Sequence, residues 1–175
     1  MDKILTATVQ AMNTIRDDST SPVSGAKSVF YGDPNEIPSS DCPALIVRPV
    51  RSSWTQGMSR YDKKDHQIEI IIVDNYNNYK ESSNNNERKV LSLATMIAMM
   101  EQTDTNQKTL ANTIVGKMLS NTILPYSSTE DGSGNSAIDI QNTGIDYVFN
   151  NSRGFPTFEI IASFTVISQG DRAYS

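Results

Sequence analysis

Apolar positions recur along this chain with two different periods, and the period separates helix from strand. Over residues 2–16, Ile4, Leu5, Val9, Met12 and Ile15 repeat at helical spacing and leave Lys3, Gln10, Asn13 and Arg16 toward water. The run DDSTSPVSG from Asp17 to Gly25 ends that helix, because two acids oppose the dipole at a helix C-terminus and Pro22 and Gly25 are breakers. A second helical period runs from Glu87 to Glu101, with Asn86 placed to cap it. Val90, Leu91, Leu93, Ala94, Ile97, Ala98 and Met100 give it a wide apolar face. A shorter helix is expected over Thr109–Leu119, carrying Leu110, Ile114, Val115, Met118 and Leu119, with Gly116 as a weak point.

Strands follow a period of two. Val29–Tyr31 and Ala44–Val47 are short candidates, the second bracketed by Pro43 and Pro49, neither of which can donate to a central ladder. His66–Val73 begins by alternating and ends in a solid apolar run, as a central strand covered on both faces would. Ala137–Ile140 lead into Ile145–Phe149, and Thr157–Val166 closes the series. Phe158, Ile160, Ala162, Phe164 and Val166 share one face of that last strand, and Ile161 on the other face implies a partly covered second side. The order helix, strand, strand, helix, short helix, strand, strand predicts one α+β domain over residues 1–175. Its sheet is largely antiparallel, or mixed, with about four to five strands and helices on one face. Residues 50–65 are expected to form a protruding polar loop and residues 127–136 a flexible one.

Composition narrows the function classes. The chain has 175 residues and a net charge of −5, which argues against a general nucleic-acid coat or a polybasic membrane anchor. No stretch approaches a membrane span, and the opening MDKILTATVQAMNTIRDD lacks the apolar core of a secretory leader, so neither is expected. Cys42 is the only cysteine and His66 the only histidine, which leaves no internal disulfide and no Cys-rich or His-rich metal site. The DGSGN run at 131–135 lacks the alternating acids of a calcium loop. No phosphate-binding, dinucleotide-binding, nucleophile-elbow or zinc-protease motif occurs, so no cofactor, metal or catalytic residue is expected.

Three readings compete for the remaining chemistry. His66 with Asp33 or Glu36 would suit a small hydrolase, if a cleft brought them together. Arg48, Arg51, Arg60, Lys63 and Lys64, interleaved with Trp54, Met58 and Tyr61, have the cation–aromatic composition of a nucleic-acid site. The same eight residues also have the composition that anchors protein interfaces, and the single Trp in a polar segment favours a subunit or partner contact.

With its elements in this order, the chain resembles the tail terminator (tail completion) proteins of tailed bacteriophages and related neck proteins. The resemblance is carried by the amphipathic N-terminal helix, EIPSSDCPALIVRPV, HQIEIIIVDN, ERKVLSLATMIAMME and FPTFEIIASFTV, and it spans most of residues 1–168. It implies a structural virion protein without catalytic residues, assembled in the host cytoplasm. Such a protein forms a ring, commonly hexameric, seated on the last ring of the tail tube. The ring stops tube growth and meets a neck or head-completion protein on its other face, and DNA passes through it without specific binding. Another neck connector or a tube-associated protein is the nearest alternative.

Overall fold

A computed structural model describes residues 2–34, 36–56, 61–78, 84–120, 136–150 and 155–171. The elements in chain order are α1 (Asp2–Asp17), β1 (Ser28–Tyr31), β2 (Ala44–Gln56), β3 (Tyr61–Asn75), α2 (Asn85–Met100), α3 (Ile114–Ser120), β4 (Ser136–Asn150) and β5 (Thr157–Asp171). The strands form one five-stranded mixed sheet in the order β1-β2-β3-β5-β4. Only the β1–β2 pair is parallel. The apolar run of β3 thus lies at the centre, as its two-sided hydrophobicity requires.

Each face of the sheet has its own core. On one face Leu45, Val47, Ile68, Ile70, Ile72 and Phe164 pack against the three helices. Five methionines, Met12, Met96, Met99, Met100 and Met118, fill much of the space between the helices and the sheet. Helix α1 lies over β1 and β2, α2 over β3 and β5, and α3 against β4. Ser92, on the buried side of α2, donates to Asp74 Oδ2 at 2.6 Å and fastens the helix to the end of β3. The other face is covered by the β1–β2 crossover, where Ile37 and Cys42 pack on Ala44, Ile46, Ile71 and Val73 with Ile161 alongside. That is the partly covered second face that Ile161 implied. Burial pushes the Cys42 thiol up to about 11, so it behaves as a small apolar residue at neutral pH.

Several elements depart from the sequence reading. Residues 50–56 and 61–65 are strand, not loop: β2 runs on to Gln56, β3 starts at Tyr61, and β5 continues to Asp171 beside them. These residues are mostly polar and show no period of two, yet their backbone groups are paired like those of any ladder. The connection at 57–60 and residues 127–135 lie outside the described residues, and Ser136 already belongs to β4. Pro49 sits inside β2 rather than ending it. β1 has finished by Val47, and the β2–β3 register shifts between Pro49 and Arg51, so the missing donor falls at an edge and an irregularity. The two runs at 137–149 are one strand, with register shifts between Ala137 and Asp139 and between Asn142 and Gly144. Helix α3 is shorter than expected. Asp104 Oδ1 accepts from the Asn106 and Lys108 amides and holds the preceding residues in a tight loop. Thr113 then caps the helix by accepting from the Gly116 amide at 3.1 Å.

Candidate assembly surface

The residues singled out from the sequence do not converge on a cleft. His66 is buried within the sheet, its Nδ1 2.9 Å from Ser52 Oγ on β2 and its Nε2 3.2 Å from Ser168 Oγ on β5. The three side chains make a polar rung across three strands on the helix-bearing face. Asp33 lies toward the opposite face, where Arg48 Nη1 donates to it at 2.7 Å. Arg48 Nε also donates to Glu69 at 2.8 Å. Because β3 alternates, Glu69 and His66 point to opposite faces, so the His66–Asp33 pairing weighed from the sequence does not form. Glu36 is exposed on the crossover.

Burial pulls His66 below the usual histidine range; the Lys64 charge adds to this and Asp65 opposes it. The folded protein therefore binds the imidazole proton less readily than the unfolded chain. Stability is fully present above the unfolded value, about 6.5, and decreases as pH falls through it. As His66 is the sole histidine, the urea midpoint of the native protein should drop between pH 7.5 and 5.5. His66→Gln, which can still bond both serines, should lack that drop. Parallel pH profiles for the two proteins would assign the effect elsewhere.

The cationic segment is partly engaged in ion pairs. Arg48 is occupied by two carboxylates, and Lys63 lies 3.6 Å from Asp65. Arg51 is exposed and Lys64 half-buried. Trp54 and Tyr61 have their backbones in β2 and β3, with Trp54 opposite Lys64, but their side chains lie outside the described residues, as do Met58 and Arg60 altogether.

The feature that sequence reading missed is on α2. The structure divides its wide apolar face in two. Ser92, Met96, Met99 and Met100 turn inward at spacings of four, three and one. Val90, Leu91, Ala94 and Ile97 turn outward, and Val90 retains 66% of its accessible surface. This outer stripe runs into the end of β4. There Phe149 packs edge-on to Phe158 at 5.3 Å and stacks on Tyr76 at 5.9 Å, and the Lys89 ammonium sits 5.2 Å from the Phe149 ring. Tyr147, Val148 and Phe149 remain exposed. The clue in the sequence was the width of the face: nine apolar residues in the 11-residue stretch 90–100 are more than one sheet surface needs.

Nine large apolar side chains are exposed among the described residues, and six of them belong to this α2–β4 border. Tyr31 and Val50 lie at the other lateral border, on β1 and β2, and Leu119 on α3. Apolar exposure thus gathers at the two sides of the sheet, the distribution expected of surfaces that meet other protein. Covering one such Val, Leu or Ile fully stabilises by about 1.5–3 kcal/mol. Among the described residues no group of His, Cys, Asp and Glu is placed to hold a metal ion, and no helix is long and apolar enough to cross a membrane. The chain matches no protein-family model and no curated protein sequence.

Proposed function

We propose that this chain is a structural virion protein that assembles into a ring on the end of a phage tail tube, ends tube polymerisation and joins the tail to the neck or head. The observation that carries the reading is the pair of apolar lateral borders, Val90–Ile97 with Tyr147–Phe149 on one side and Tyr31 with Val50 on the other. A subunit with two different adhesive sides makes heterologous contacts, and heterologous contacts that return on themselves close a ring. The resemblance to tail terminators supplies the rest: a hexamer as the expected size, the tube protein on one axial face and the neck protein on the other. Passage of DNA without gripping suits a net charge of −5 and an Arg48 already neutralised by Asp33 and Glu69.

Native mass spectrometry and negative-stain imaging, with and without tube protein, test this directly. A closed oligomer that adds to tube ends is the expected result. A protein that stays monomeric in both conditions overturns the proposal.

A further inference from the structure

We infer that neighbouring copies join through their sheets, with the β1 edge of one copy laid antiparallel along the β4 edge of the next. The inference deepens the ring reading and rests on it for closure. β1 and β4 are the outermost strands of the sheet. β1 runs with β2, and β4, reached from β2 through three antiparallel pairs, runs against it. When copies are related by rotation about an axis along the strands, the two edges therefore meet antiparallel, in the same sense as every pair in the sheet except β1–β2. Strand addition of this kind supplies main-chain hydrogen bonds with no rearrangement of the subunit.

The register follows from the ladders. Tyr147 lies opposite Ile160, Ile160 opposite Ile72, Ile72 opposite Leu45 and Leu45 opposite Val29. Val29 and Tyr147 thus stand at one level on the two borders, and by the same path Ser28 matches Val148 and Tyr31 matches Ile145. Rotation preserves these levels. It sets Tyr31 of one copy beside Ile145 and diagonal to Tyr147 of the next, on the same face. The bulges of β4 fall before Gly144, so the stretch that would receive β1 is the regular one. Bulges and short strands blunt an edge against pairing, and among the described residues the bulges of β4 fall in 136–144 and none in 145–150. On the helix-bearing face α2 lies over β3 and β5, and Lys89, next to its outer stripe, reaches Phe149 in that stretch. The two borders also differ in charge: β4 carries the half-buried Asp139 and the exposed Asp146, and the outer edge of β2 carries the exposed Arg51.

Engineered disulfides test the register. On a Cys42→Ala background, Ser28→Cys and Val148→Cys would be placed in separate chains and in one chain. Val29→Cys with Tyr147→Cys provides a second pair, since adjacent rungs alternate between wide and narrow spacing. Within a subunit the two positions are four strands apart, about 19 Å, so any bond between them joins two copies. Mild oxidation should give covalent dimers when the two single-cysteine proteins are mixed, little product from either alone, and a ladder ending at the ring size from the double variant. Tyr147→Asp, at an exposed position, should leave the monomer melt unchanged and raise the subunit dissociation constant at least tenfold. If native mass spectrometry shows a closed ring but neither pair cross-links and Tyr147→Asp assembles normally, the edge contact is wrong and the ring reading survives. If no oligomer forms at all, the ring reading fails and this inference fails with it.

Discussion

Phe164→Ala is expected to lower the free energy of unfolding by about 3–5 kcal/mol, the range for removing a fully buried aromatic ring. Phe164 is wholly buried on β5, which lies between β3 and β4. It sits opposite Ile68 of β3 and in the core beneath the helices. The β3–β5 ladder is unbroken from Tyr61 to Asn75 and holds β5 in place on that side, so the backbone cannot close over the space left by the ring, and an open void keeps the penalty high. Urea or guanidinium titration at neutral pH would measure it through a lower midpoint at an unchanged slope. A loss under 1 kcal/mol would mean that the sheet and helix layer collapse onto the site, and that the central position of β5 is wrong.

Gly116→Ala is expected to destabilise by about 1–3 kcal/mol, although alanine is the better helix former by about 1 kcal/mol. A Cβ at this position would fall 1.8 Å from the Leu110 carbonyl oxygen and 2.9 Å from Thr113 Oγ1. The first of these is backbone, which cannot rotate away. The second belongs to the cap of α3, where the Gly116 amide bonds Thr113 and Thr113 in turn donates to the Leu110 carbonyl at 2.8 Å. The substitution therefore moves the loop or breaks the cap. Comparison of Gly116→Ala with Lys117→Ala, at the next position on the same helix, would separate the steric effect from helix propensity. Equal stability of the two variants would place Leu110 elsewhere.

The sequence reading succeeded where hydrophobic period and burial coincide. β3 was legible because Ile70–Val73 is buried on both faces. The alternation of Phe158 to Val166 placed the core face of β5 for the same reason. It failed where backbone pairing is not accompanied by an apolar period. Residues 50–56 and 61–65 are laddered but polar, so nothing in their side chains distinguished strand from loop. The α2 surface was hidden for the opposite reason. Val90 and Ile97 are as hydrophobic as Met96 and Met99, and periodicity shows that a helix has an apolar side without showing how much of that side its own sheet can cover. Only the position of α2 over β3 and β5, with Lys89 reaching Phe149, divided the stripe. Of the candidate contact residues, Arg48 illustrates a further limit: its two acidic partners come from a crossover 15 positions earlier and a strand 21 positions later, and no local pattern announces either.

The methionines beneath the helix layer have a consequence for how such a subunit accommodates strain. A thioether chain turns about three bonds and refits to an altered neighbour with little penalty, unlike the β-branched residues that stiffen the sheet. Met96, Met99 and Met100 all lie on the part of α2 beyond its Ser92–Asp74 fastening. Beyond that fastening the helix rests on adaptable side chains, so a small change at its outer surface can be taken up beneath it while the strands hold their spacing.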